Sequence, residues 1–373
     1  MRAKKAAISL FIIVSALGGL QSLLAEESQR EKLLRDRAFA AFDAILAGSK
    51  QSDLPGNLLK LPHLAGSKYV IFSDLHIGDN SKADNFSKNE DLVKSTLIGY
   101  FKFGFSLILL GDVEELHQFD LRDILLKYFR KDDENSLYSI FEKFFDAGRL
   151  YRIYGNHDFE WSMAEPISKK GFGAAHEAIL VGDNIILTHG HQAMETYEED
   201  VTTVRVGTGM YRWLEKVIRF ADDSDSILYM PELKDRIYSE WACQNDKILI
   251  CGHTHNPIIN GMGMDYLLSF RIPLARKELK YPGMNRAQRK QKKKDLNYLI
   301  RKRKTLLRYL EKGKIAKIEE IKCPLYVNPG GCIYYDGITG VEIEGDYIRL
   351  MKWDIKNFQR DVLIEKKITL SNH

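Results

Sequence analysis

Five times along the chain, an apolar run of strand length ends on a residue able to ligate a metal. Lys68 to Ser73 runs into Asp74 and His76, Phe105 to Leu110 into Asp112, and Leu150 to Tyr154 into Asn156, His157 and Asp158. Asn184 to Thr188 then meets His189, and Lys247 to Cys251 meets His253 and His255. Short apolar runs bounded by turn residues read as buried strands, and the helix-length stretches Lys88 to Phe103 and Ile124 to Asp146 separate the first three. That alternation argues an α/β architecture. In an open α/β sheet the loops beyond the carboxyl ends of the strands converge on one crevice, so five strand ends deliver metal-binding residue types to one place.

The remainder of the chain adds elements around this frame. Ser28 to Ser49 carries apolar residues at helical spacing and reads as an amphipathic helix, and Ile179 to Val181 reads as a further strand. Leu325 to Asn328, Cys332 to Tyr335, Gly340 to Glu344 and Tyr347 to Trp353 are separated by turn residues and predict a β-meander completing a second sheet. The 63 residues between His189 and His253 hold Tyr197, Tyr211, Trp213, Phe220, Tyr229, Tyr238 and Trp241. They form either a helical cap that selects substrate or ordinary core at helical spacing.

Composition bounds the class. A chain of 373 residues that is 45% hydrophobic and 28% charged buries a sizeable core, which excludes a disordered tail. Arg2, Lys4 and Lys5 precede an apolar run from Ala6 to Leu24 and then Ala25, the pattern of an export signal or an uncleaved membrane anchor. The expected location is therefore periplasmic, extracellular or membrane-anchored. Cys243, Cys251, Cys323 and Cys332 lack C-x-x-C spacing, which argues against a structural zinc and leaves a disulfide open. The net charge of +4 hides an asymmetry: residues 276–317 hold 17 Lys or Arg against three acids, a net +14, so the rest is acidic at −10. In that segment Leu296, Leu299, Ile300, Leu306, Leu307 and Leu310 recur among cations, predicting an amphipathic helix that ends near Gly313. It could face anionic lipid or nucleic-acid phosphate, or be a solvated helical insertion, or lie against the acidic body.

Each motif alone is a weak signal, since Gly and Asp favour turns for backbone reasons. Taken together, Asp74-Leu-His76, Gly111-Asp112, Gly155-Asn156-His157-Asp158, His189-Gly-His191 and Gly252-His253-Thr-His255 resemble the calcineurin-like metallophosphoesterase superfamily. The resemblance covers roughly Lys68 to Asn256, with a weaker echo at Val327-Asn-Pro-Gly-Gly331. It implies a sandwich of two mixed β-sheets flanked by helices, here with a basic helical insertion. The implied units are a signal or anchor over 1–25, a helix and linker over 26–66, and a catalytic core over 67–270 with a cap at about 195–245. The basic insertion over 271–317 and the closing strands over 318–373 complete the division.

The resemblance also implies two divalent metal ions. Asp74, His76, Asp112 and His255 would hold one, and Asn156, His189, His253 and the shared Asp112 the other, since a carboxylate can bridge ions roughly 3.5–4 Å apart. Mixed imidazole and carboxylate ligands suit Mn, Fe or Zn better than Ca or Mg. Such ions supply hydroxide at neutral pH for in-line attack on a phosphate ester. His157 is the implied general acid, with Glu115, or failing it Asp158, fixing its tautomer. A solvated helix start explains Glu114 and Glu115 equally well, and His191, His117 and His176 read as polar structural residues. Asp79 and Asn80 follow the first motif and carry no assignment.

Motif detail separates the chain from several branches. Protein phosphatases show Arg-Gly after the second motif and Glu after Gly-Asn-His, where this chain has Glu115-Leu116 and Asp158. Purple acid phosphatases place Tyr where Glu115 stands. Ser73 to Gly78 looks like the UDP-2,3-diacylglucosamine hydrolases, but those carry Arg in place of His157 and Asp in place of His191. The expected substrate is a small or lipid-linked phosphate ester, with an anionic membrane surface as a further partner of residues 276–317 and nucleic acid the less favoured one. The alternatives are a nuclease that uses the basic segment and a non-catalytic membrane-surface protein on the same fold.

Overall fold

A computed structural model describes residues 32–48, 58–63, 66–130, 132–162, 174–193, 231–259, 284–311, 325–334 and 337–368, with 272, 275–276 and 279–280. The apolar run at 6–24 and the aromatic stretch at 194–230 lie outside them.

The central strands are apolar on both faces, and such strands need cover on both sides. Two sheets and two helical layers provide it. One sheet has the order β13-β12-β11-β2-β3-β4-β5, built from β2 (Lys68–Phe72), β3 (Ser106–Leu110), β4 (Leu150–Ile153), β5 (Ala175–His176), β11 (Gly337–Glu344), β12 (Tyr347–Asp354) and β13 (Arg360–Lys367). The other has the order β1-β6-β7-β8-β10-β9, from β1 (Leu58–Leu61), β6 (Ala178–Val181), β7 (Ile185–Thr188), β8 (Ile248–Cys251), β9 (Ile258–Ile259) and β10 (Tyr326–Asn328). Strands β2, β3 and β4 run parallel to one another, as do β7 and β8.

Side chains alternate between faces along a strand, and the alternation sorts the core. Tyr69, Ile71, Ile108, Leu110 and Ile153 from one sheet meet Ile179, Val181, Ile185, Leu187, Ile248 and Ile250 from the other in the layer between them. The intervening Val70, Phe72, Leu107 and Leu109 face outward, under helices α2 (Glu90–Lys102), α3 (Leu121–Tyr128) and α4 (Leu137–Asp146). On the opposite side Ala178, Leu180, Ile186, Leu249 and Cys251 are covered by helix α1 (32–46) and helix α5 (Pro231–Gln244) through Ala38, Phe42, Ile45, Tyr238 and Trp241. The part of the expected cap that is described, α5, therefore packs as an outer layer.

Three expectations are corrected. Ile124 to Asp146 is not one helix: the polar stretch 130–136 separates α3 from α4, with Asp133 Oδ1 accepting the Asn135 amide, a local bond that competes with helix. The C-terminal meander extends the sheet of β2, since β11 pairs antiparallel with β2, whereas β10 joins the other sheet. Of the expected strand Cys332 to Tyr335, the described residues 332–334 form no strand, Tyr334 making only an isolated bridge to Gly337, and β13 went unforeseen. The basic segment does form a helix, α6 (Arg286–Glu311). Cys243 is disulfide-bonded, and Cys251 and Cys332 are free and buried. Among the described residues no helix is long and apolar enough to cross a membrane.

Glu114 is a buried structural carboxylate, not a solvated one. It accepts hydrogen bonds from Arg152 at 2.6 Å, Tyr138 at 2.7 Å and the Trp161 indole at 2.8 Å. Arg152 lies over the Trp161 ring, and its Nε and Nη1 have no hydrogen-bond partner, so Glu114 is its main compensation. Removing one member of a buried pair leaves an uncompensated charge. Glu114→Ala is expected to lose about 3–5 kcal/mol of stability in denaturant unfolding, and adding Arg152→Met to recover most of it. Equal stability of wild type and the single variant would refute this account.

Candidate metal centre

Beyond their last paired residues, the loops after β2 and β3 continue side by side. Asp74 N donates to Gly111 O, His76 N to Asp112 O and Ile77 N to Val113 O. This ladder puts the side chains of the first two motifs at one sheet's edge, and the ends of β7 and β8 bring the last two motifs from the other sheet. The chain turns sharply to aim them: Asp74, His76, Asp112, His253 and His255 all have φ between 48° and 65°. For residues with a Cβ this left-handed region is strained, typically by about 1–3 kcal/mol each, and it persists only where surrounding bonds enforce it.

Those bonds come from unexpected places. Asn328, in the Val327 to Gly331 turn, donates to Gly252 O and Thr254 Oγ1, while Cys332 N holds Asp74 O and the Tyr334 hydroxyl holds His255 O. Asp235 on α5 accepts from Thr254, Asn256 and Tyr326. Two glycines are required by close approach. A Cβ on Gly155 would lie 2.0 Å from Asp112 Oδ1, and one on Gly252 would lie 1.9 Å from Ser73 Oγ and 2.6 Å from Asp74 Oδ2.

Six of the seven side chains converge in two neighbouring groups, linked by the proximity of His76 and Asp112. In one, Asp74 Oδ1 stands 3.0 Å from His255 Nε2, and the Nε2 atoms of His76 and His255 are 3.1 Å apart. In the other, Asp112, His189 and His253 share one small volume, with Asp112 Oδ2 3.0 Å from His189 Nε2. Asp112 Oδ2 is also 3.9 Å from His76 Nε2, so this carboxylate stands between the groups. Asn156 follows Gly155 and precedes His157, whose amide donates to Asp112 Oδ1 at 2.9 Å. Its Oδ1 is buried with no hydrogen-bond partner, and so is His189 Nε2.

This donor set fits divalent cations. Two carboxylates that are at most 1% exposed converge with imidazole nitrogens, and the neighbouring residue of His157, Asn156, holds a buried amide oxygen without a partner; all are lone-pair donors. Burial raises the pKa of a carboxyl, yet His189, His157 and His76 hold Asp112 well below the usual range, and His255 lowers that of Asp74. Burial likewise lowers imidazole pKa values, but Glu115 lifts His76 to about 9 and Asp112 lifts His189 to about 9. Burial and the Lys234 ammonium, 3.1 Å from its Nε2, push His253 far down.

Glu115 is wholly enclosed and shared. Its Oε2 accepts from His76 Nδ1 at 2.7 Å and its Oε1 from His157 Nδ1 at 2.8 Å, so each ring keeps Nε2 free of the Nδ1 proton. This replaces the solvated-helix reading of Glu115. Asp158 does not serve as the partner of His157: its two oxygens take the backbone amides of Gly155 at 2.6 Å and Val113 at 2.8 Å, fixing the loops.

Other histidines fall differently from expectation. His117, taken as structural, lies against His157 with ring centroids 4.3 Å apart. His191 is buried 5.5 Å from His189, and burial followed by the His189 charge lowers its pKa to about 3. His176 sits on β5 away from these groups, its pKa lowered by burial. Asn80 N donates to Asp84 in a local turn, and Asp79 accepts Ser81 N. Lys234 and Asp235 had no sequence signal, because their only mark is a position on α5. His117 had one: it stands two residues beyond Glu115 on the same loop.

Comparison with known proteins agrees with this architecture. The family model for calcineurin-like phosphoesterases matches residues 67–257, just over half of the chain. Among solved structures, that of Vacuolar Protein Sorting 29 from Cryptosporidium parvum is similar at 13% identity, covering 81% of this chain and 98% of that one with a TM-score of 0.31. No curated protein matches the chain. With its two mixed sheets, its convergent strand ends and that match, the chain belongs to the calcineurin-like phosphoesterase family.

Proposed function

We propose that this chain is a dinuclear metal-dependent phosphoesterase acting outside the cytoplasm on a small or lipid-linked phosphate ester. The observation that carries the reading is the convergence of Asp74, His76, Asp112, His189, His253 and His255, together with the buried and unsatisfied Asn156 Oδ1. Asp74, His76, Asp112 and His255 would hold one ion, and Asp112, Asn156, His189 and His253 the other, with Mn, Fe or Zn suited to the ligand types. Bound there, the pair supplies Lewis acidity toward the phosphoryl oxygens and lowers the pKa of water.

The chain's own residues account for the rest. His157 is the general acid: Glu115 takes its Nδ1 proton as a hydrogen bond, which leaves Nε2 as the atom that hands a proton to the departing oxygen. His117 packs on the His157 ring and limits its rotation. Asp158 is a positioning residue, tying the loop of His157 to the loop of Asp112. The disulfide at Cys243 and the N-terminal basic and apolar pattern support an oxidising compartment.

Asp112→Asn is expected to abolish hydrolysis of an aryl phosphate and to lower bound metal in elemental analysis, since it takes a charge from both groups. Full metal content together with full activity in that variant would sink the reading. His157→Asn is expected to lower kcat by about 10²–10⁴-fold for alkyl esters and much less for nitrophenyl esters, whose leaving group needs no proton. Glu115→Gln is expected to weaken metal binding about 10–100-fold by titration calorimetry. It should also move the alkaline limb of the kcat profile to lower pH, because the carboxylate charge beside the imidazolium is gone.

A further inference from the structure

Helix α6 has a seated side and a charged side. Leu296 and Leu299 are buried against Ile272, Ala275 and Leu279, with Lys292 and Arg303 half-buried along the same stripe. At about 100° per residue these four occupy a sector of about 60°. Arg286, Lys290, Lys293, Lys294, Arg301 and Lys304 are all exposed. They occupy a sector of about 100°, its centre turned about 140° away from the seated stripe, and extend ~27 Å along the axis. Among the described residues none of the six takes part in an ion pair. Two large side chains border the strip, Ile300 at one edge and Tyr298 at the other, 37% and 49% exposed.

We infer that this face of α6 docks on an anionic phospholipid surface. Six like charges on one straight edge repel one another unless counter-charges lie in a plane beside them, and acidic headgroups supply those within a Debye length. The borders decide between polyanions. Ile300 and Tyr298 stand beside the strip, about 70° and 90° from its centre, where an apolar and an aromatic side chain are better matched to a headgroup layer than to a nucleic-acid backbone. A nucleic acid would neutralise the cations but meet both side chains with sugar and phosphate. The surface is separate from the metal centre and does not depend on the catalytic reading.

The test is co-sedimentation of the full chain with phosphatidylcholine vesicles, with and without about one third phosphatidylglycerol, at low and high salt. The apolar run Ala6 to Leu24 contributes to both vesicles and Arg2, Lys4 and Lys5 favour the anionic ones in every variant, so the contribution of the helix is read from the difference between wild type and a variant changed only on α6. Binding is expected to favour the anionic vesicles and to weaken with salt. The triple variant K290E/K293E/R301E is expected to lose affinity for them on the order of a hundredfold or more, with unchanged circular dichroism and unchanged turnover of a soluble aryl phosphate. Equal binding to both vesicles, or no effect of the triple variant, would overturn the inference. So would a double-stranded oligonucleotide that binds while anionic vesicles do not.

Discussion

Two carboxylates, Asp74 and Asp112, lie almost entirely out of water at the seam where the strand ends of two sheets meet. A buried carboxylate is tolerated only with compensating charge and hydrogen bonds. Here that compensation is imidazole on every side, with His255 and His189 each 3.0 Å from a carboxylate oxygen. The left-handed residues, the bare glycines and the Asn328 turn all serve the placement of these two groups. Among the described residues, five of the eight non-glycine residues with a left-handed backbone lie in this seam, as expected where local preference yields to chemistry.

The frame of the fold was legible because its strands are buried on both faces. Runs such as Tyr69-Val-Ile-Phe72 and Leu107-Ile-Leu-Leu110 have no polar position to lose, and period two alone assigns each residue to the inner or outer layer. The meander was placed in the wrong sheet because an antiparallel pairing between β11 and β2, some 270 residues apart, leaves no local trace. The break between α3 and α4 rested on turn chemistry at Asp133 to Ser136, which the apolar periodicity of the flanking segments masks.

The site was legible for a different reason. Metal ligation restricts residue type so strongly that five short motifs, ordered along the chain, mark the positions that the fold later unites. Residues whose work is to hold others have no such restriction. Glu114, Asp158 and Asp235 are all acids near the seam, and only their partners distinguish them: Arg152 for the first, backbone amides for the second, the loop of His253 for the third.

Glu115 touches His76 with one oxygen and His157 with the other. A single charge divided between two imidazoles makes them thermodynamically linked, because whatever draws electron density through one ring alters what the carboxylate offers the second. Under the proposed assignment, ion uptake at His76 and proton affinity at His157 would be reciprocal quantities. Neither ring can therefore be altered without changing the carboxylate on which the other depends.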